Sequence, residues 1–172
     1  ASLSHIGIAE KDSNGQWIVI EAISEGVVKT PLNDFLNRSY DSEGNPKVII
    51  GRLKEKYQPL IPNALKAAEK LTGNPYDDIY QIGDDRYYCS ELIYEILKKA
   101  NNEKPVFNLY PMTFIDPDTG ETFPAWTDYF KKLNEPIPEG KPGLNPGSIS
   151  RSPAIRIVHH YGCPENFKPK KQ

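Results

Sequence analysis

Proline is spread unevenly along this chain of 172 residues, and that distribution constrains the fold more than any other feature. Eleven of the 16 prolines lie between Pro105 and Pro169. A proline has a fixed φ and no backbone N–H, so helix interiors and central strands exclude it. The Pro-rich remainder reads as two strand candidates, Met112–Ile115 and Ala154–Tyr161, with long loops between them. The denser run of predicted elements precedes Pro105.

Leu3–Ala9 and Gln16–Ile23 are rich in Ile and Val and are broken by Asp12-Ser13-Asn14-Gly15, which is hairpin punctuation. Thr30-Pro31 offers an N-cap and an N1 proline for a short helix ending near Asn37. A loop from Arg38 to Pro46 leads to a third strand, Lys47–Leu53. Pro62 again fits N1, and Ile61, Leu65, Ala68 and Leu71 recur at helical spacing until Gly73 closes the helix. A polar loop carrying tyrosines runs to Tyr88. A helix then starts at Cys89 or Ser90, with Leu92, Ile93, Ile96, Leu97 and Ala100 on one face and Glu95, Lys98 and Lys99 outside. The pattern predicts an α+β fold in a single domain over residues 1–164, followed by a flexible basic tail, 165–172.

Composition removes several classes of function. Twenty-one basic against 23 acidic residues give a net charge of −2, too little field to gather nucleic acid or an acidic membrane. The longest apolar runs, such as Ile18-Val19-Ile20 and Val48-Ile49-Ile50, are far too short for a transmembrane segment. Two cysteines cannot staple a disulfide scaffold. Ala1 opens without the charged and apolar regions of a signal peptide, so the residues alone assign no compartment.

Few residues are left for chemistry. Cys89 stands where the aromatic run Arg86-Tyr87-Tyr88 becomes an amphipathic helix. Unpaired N–H groups and the positive end of the helix dipole there favour an anionic sulfur, the nucleophilic form. The same N–H groups suit a developing oxyanion. The competing reading is a buried cysteine acting as a small hydrophobe. His5 lies in Ser4-His5-Ile6-Gly7-Ile8, sharing a strand face with Gly7, which reads as open space above the sheet. Glu21 sits in the apolar run Trp17–Ile23, alternating with Trp17, Val19 and Ile23, and a carboxylate so placed needs a partner such as an imidazole. His5 and Glu21 share a face only if paired positions of the hairpin sum to an even number. The expectation is that even register, with a bulge or an odd loop length. His159, His160 and Cys163 have loosely metal-like spacing but no further Cys/His pair, so no metal and no cofactor is predicted. Cys163 carries no motif and is expected to be unpaired. Asp116-Pro117-Asp118-Thr119-Gly120 reads as a turn.

Together, Ser4-His5-Ile6-Gly7-Ile8, Ile20-Glu21-Ala22 and Tyr88-Cys89-Ser90-Glu91-Leu92-Ile93 resemble the permuted papain-like amidases of the YiiX/YaeF type, relatives of NlpC-type cell-wall cysteine peptidases. The order His, Glu, Cys is that of the permuted group. The resemblance covers roughly residues 2–97, and Thr30-Pro31-Leu32 and Tyr76-Asp77 look like family features as well. It implies a papain-like fold, with a small, mostly antiparallel sheet packed on the cysteine helix. It implies Cys89 as nucleophile, His5 as general base and acid, Glu21 as the group orienting His5, and Tyr76 and Tyr88 at the substrate. The family has a strand and a Gly-Asp turn ahead of the histidine motif where four residues stand here, which implies a histidine strand lacking a neighbour.

The function so implied is a cysteine hydrolase cleaving an amide bond, in cell-wall peptide, outside the cytoplasm, with a small-molecule or peptide substrate as its partner. One rival is the same chemistry on lipid acyl groups, as a thiol acyltransferase or (thio)esterase. Another is a non-catalytic module binding peptide or glycan on the same fold.

Overall fold

The computed structural model describes residues 3–165. Three strands, β1 (Gly7–Lys11), β2 (Trp17–Ile23) and β3 (Gly26–Pro31), form one antiparallel sheet in the order β1-β2-β3. The helix α1 (Leu32–Leu36) follows directly, and then come β4 (Ile49–Leu53), α2 (Ile61–Leu71) and α3 (Cys89–Ala100). The Pro-rich part holds β5 (Tyr110–Pro111), α4 (Pro124–Leu133), β6 (Pro142–Gly143), α5 (Pro146–Arg151) and β7 (Ile155–His160). β4 pairs with β7 and β5 with β6, both antiparallel. The fold is α+β, with small antiparallel sheets and the cysteine helix in the core.

The hairpin register is the even one. Gly7 pairs with Glu21 and Lys11 with Trp17, so paired positions sum to 28. An odd loop achieves this: Asp12 N–H bonds the Gln16 carbonyl, and Ser13, Asn14 and Gly15 close a three-residue turn. Gly15 sits at φ +77°, a conformation suited to glycine.

Alternation then sorts β2. Ile20 and Ala22 enter a core with Val27 of β3, Ala64 and Ala68 of α2, and Leu92, Ile93 and Ile96 of α3, while Ile6 and Ile8 pack against it. Glu21 faces the other way, together with Gly7. A Cβ on Gly7 would fall 2.9 Å from the Ile20 carbonyl oxygen and 3.2 Å from Glu21 Cβ. Gly7 therefore permits close approach of the strand carrying Glu21, which corrects the reading of open space.

Several expectations shift. The histidine strand begins at Gly7, leaving Leu3–Ile6 outside it. Thr30 belongs to β3, a strand the sequence reading missed, and Pro31 takes the N-cap position of α1. Met112–Ile115 forms no strand beyond an isolated Ile115–Thr122 bridge. Two helices occupy the expected long loops. Both start with proline in their first turn, at Pro124 and Pro146, the same signal that located α2. The Asp116 segment is a turn, with Gly120 N–H on the Asp116 carbonyl. From residue 166 on, the predicted tail lies outside the described residues.

β1 is the edge of its sheet. It flanks a cavity of about 1550 Å³ that Ile6, Ile8, Ile50, Leu53, Ile93 and Leu97 line with His5 and Arg38.

Candidate active site

Cys89 is the first residue of α3 and is 7% exposed. Its helix start is fastened from behind by Glu91, whose fully buried carboxylate accepts from Gly83 N–H at 3.0 Å and reaches Tyr88 N–H at 3.4 Å. This is the reciprocal arm of a capping box. Burial, with the neighbouring Asp77 and Asp84 charges, pushes the Glu91 carboxyl up to about 8 against those two hydrogen bonds. Asp77, also fully buried, accepts from Ile79 N–H at 2.9 Å and Gln81 N–H at 2.5 Å. Together the two carboxylates shape the loop between α2 and α3, in which Tyr80 adopts φ +58°.

His5 brings the strand side to the sulfur. Its Nε2 bonds Glu21 Oε2 at 2.5 Å, and the ring lies near enough to Cys89 to interact with it electrostatically. With Nε2 committed to Glu21, Nδ1 is the nitrogen left for the thiol. Burial pulls the His5 pKa down, but the neighbouring Cys89 and Glu21 outweigh it and raise it to about 9. The imidazole therefore keeps its second proton at neutral pH.

Glu21 is fully buried and saturated. Thr30 Oγ1 donates to Oε1 at 2.5 Å, and Arg38 forks onto both oxygens, Nη2 to Oε1 and Nη1 to Oε2, each at 2.6 Å. Burial raises the carboxyl pKa, yet hydrogen bonds from His5, Arg38 and Thr30 hold it down at about 2. Phe35 of α1 closes the cluster, its ring centroid 5.8 Å from that of His5 and 5.5 Å from Arg38 Cζ.

The two tyrosines part company. Tyr76 is half-buried and close enough to Cys89 to feel its charge; burial first, then that charge, raises its phenol pKa. Tyr88 is 3% exposed, accepts Leu144 N–H at 3.3 Å, and packs edge-on against Tyr80. Its side chain lies in the wall behind the site, which corrects the expectation that it meets substrate. Behind Tyr80 stand Trp126, Tyr129 and Phe130 of α4, and Tyr129 Oη donates to the Asp78 carbonyl at 2.9 Å. The Pro-rich part is thus the outer wall of the cysteine loop.

The structure brings His5, Glu21 and Cys89 together. It adds Arg38, Thr30, Phe35 and Glu91, which the sequence reading left out of the site. Cys163 is exposed, and both cysteines are free.

The match to the family model of permuted papain-like amidase enzymes, YaeF/YiiX, extends over residues 1–159. The chain belongs to that family. Among solved structures, the metalloprotein YiiX from Escherichia coli O157:H7 shares its fold with a TM-score of 0.74 at 22% identity. That match covers 94% of this chain and 84% of the other. No curated protein matches the chain. The described residues of this permuted papain-like chain gather no group of three His, Cys, Asp or Glu side chains fit to hold a metal ion. None of its described helices is long and apolar enough to cross a membrane.

Proposed function

We propose that this permuted papain-like protein is a cysteine amidase working through Cys89, His5 and Glu21 and a covalent acyl-enzyme. The observation that carries the reading is the bond between the buried Glu21 carboxylate and His5 Nε2, with the same ring near enough to Cys89 at the start of α3 for the two to interact electrostatically. A binding module has no use for a charged histidine held between a nucleophile and a buried carboxylate. Membership of an amidase family supports the same chemistry.

In the first step the Cys89 sulfur, its proton passed to His5 Nδ1, attacks the carbonyl carbon of the amide. The carbonyl π electrons move to oxygen, and the oxyanion faces the unpaired N–H groups of the first turn of α3. The C–N bond then breaks, and His5 delivers its proton to the departing amine. Water enters, gives a proton to His5 and attacks the thioester, and the proton returns to sulfur as the acid leaves. Glu21 keeps the imidazole in one orientation through both halves. The substrate proposed is an amide in cell-wall peptide, met outside the cytoplasm.

The activated ester p-nitrophenyl acetate tests the chemistry. The expected result is a burst of nitrophenolate and an acetyl adduct on the peptide containing Cys89, absent in Cys89→Ala and slowed in His5→Ala. No adduct, or one confined to Cys163, would overturn the proposal. Product analysis on isolated cell-wall peptides against acyl lipids then separates amide cleavage from acyl transfer.

A further inference from the structure

Glu21 is the most heavily bonded side chain of the site, and half of its hydrogen bonds come from one residue that lies outside the strand hairpin. Arg38 follows α1 and is 41% exposed at its side chain, yet its guanidinium is committed to both oxygens of a fully buried carboxylate. Phe35, three residues earlier, touches both the Arg38 guanidinium and the His5 ring. Arg38, Glu21, His5 and Phe35 therefore form a closed circuit of contacts in which no member moves alone.

We infer that Arg38 is a positioning residue, which fixes the plane of the Glu21 carboxylate so that Oε2 meets His5 and which offsets the carboxylate charge that His5 feels. The inference rests on the triad reading above. Its physical basis is geometric. A carboxylate held by one donor can rotate about its last bond, whereas a fork on both oxygens leaves a single plane. Thr30 reinforces that plane from β3.

The electrostatic consequence has a definite sign. The charged or titratable groups facing His5 are Glu21 from β2, Cys89 from α3 and, through Glu21, Arg38. Those acting on Arg38 are Glu21, Glu25 and Asp34. A bare Glu21 holds the imidazolium too firmly for easy release of its proton to a leaving amine. With the guanidinium forked onto it, Glu21 still orients His5 but pulls less strongly on its proton. Removing the arginine cation must therefore make His5 harder to deprotonate and, at the same time, loosen its orientation. A merely structural arginine predicts neither effect on the histidine in the folded protein.

The test is NMR titration of the His5 ring, assigned by the signal lost in His5→Gln, alongside p-nitrophenyl acetate kinetics. In Arg38→Gln the His5 midpoint should rise by about half a pKa unit or more. Its acylation rate constant should fall roughly 10- to 100-fold, by analogy with the loss of an outer partner of a metal-bound histidine. KM should move little. Arg38→Lys keeps the cation and loses the fork, so its midpoint should stay near that of the parent while its rate recovers only in part. It also serves if Arg38→Gln does not fold. A His5 midpoint unchanged in Arg38→Gln overturns the inference, as does full activity in Arg38→Lys. If the parent itself forms no adduct on Cys89, the triad reading fails instead, and the titration still reports on Arg38.

Discussion

The two walls of the site are built on opposite physical terms. On the strand side, charge is buried and answered: Glu21 meets an arginine, a threonine and a histidine. On the cysteine side, charge is buried and left with backbone donors alone: Glu91 and Asp77 hold loop N–H groups, and their carboxyl pKa values rise. Glu21 on the first wall keeps its charge across the neutral range, while the contribution of Glu91 on the second is lost there. Around the second wall lies the larger aromatic cluster of Phe130, Trp126, Tyr129 and Tyr80, most of whose pairs meet edge to face. The histidine is thus placed by electrostatics and the cysteine loop by packing, and the two walls should fail differently.

The largest effect is expected from Glu21→Ala. It leaves Arg38 and a protonated His5 facing a cavity with no anion between them. Losing one partner of a buried ionic cluster costs about 3–5 kcal/mol. Denaturant unfolding at neutral pH checks this, with p-nitrophenyl acetate acylation in the same samples. A loss under about 1 kcal/mol would mean that the cluster is solvated and the contrast between the walls is wrong.

Phe130→Ala attacks the other wall. Phe130 is fully buried between Tyr80, Phe114 and Trp126, and its truncation costs about 3 kcal/mol through the cavity it leaves. The distinguishing result is spectroscopic: the His5 titration should stay as in the parent, because nothing on the strand side has changed. A displaced His5 midpoint would show that the walls are coupled.

The difference between the walls also explains what the sequence made legible. The strand hairpin, α2 and α3 were readable because β-branched runs, a glycine-bearing turn, an N1 proline and helical spacing all agree there. His5, Glu21 and Cys89 stood out because each is a chemically costly residue within an apolar pattern. Arg38 did not, since an arginine in a polar loop has no local signal; its partner is 17 residues away in sequence and set by the fold. Thr30 was hidden by ambiguity, because Thr-Pro reads equally as a helix cap and as a strand end. The helix α4 is hidden by the density of prolines around it. Trp126, Phe130 and Leu133 are at helical spacing behind Pro124, which the weight of surrounding prolines obscured. The close approach at Gly7 was unreadable because a missing side chain looks the same in sequence whether a neighbour or solvent fills the space.

A smaller effect separates the walls by pH. Glu91 is raised from its ordinary 4.5 to about 8. Between those values the native protein holds a proton that the unfolded chain has released, so this contribution to stability is present below about 4.5 and lost as pH rises through 8. Glu21 behaves oppositely, its contribution being lost only as pH falls toward about 2. His5, raised to about 9, stabilises below its ordinary 6.5 and loses that contribution as pH rises through 9. Glu91→Gln should therefore gain on the parent as pH climbs from 5 to 8, by on the order of 1 kcal/mol. Parallel unfolding curves at the two pH values measure it, and a variant that loses ground to the parent as pH rises would reverse the assignment.

The smallest effect is expected where neither wall is touched. Cys163 is exposed and free, and it engages the rest of the chain through its backbone N–H, which Asp41 Oδ2 accepts at 3.3 Å. Cys163→Ser leaves that backbone bond in place and removes a sulfur that fills no core space. Substitutions of this kind change stability by no more than about 0.5 kcal/mol. Acylation by p-nitrophenyl acetate should stay within about threefold of the parent, since a change of that size corresponds to well under 1 kcal/mol in the barrier. The variant also sharpens the comparison, because it leaves Cys89 as the single thiol. All thiol labelling then reports on Cys89, and Phe130→Ala in this background should change that labelling without displacing the His5 midpoint. If Cys163→Ser instead abolished acylation, the nucleophile would lie at the exposed cysteine, and neither wall would be the wall of an active site.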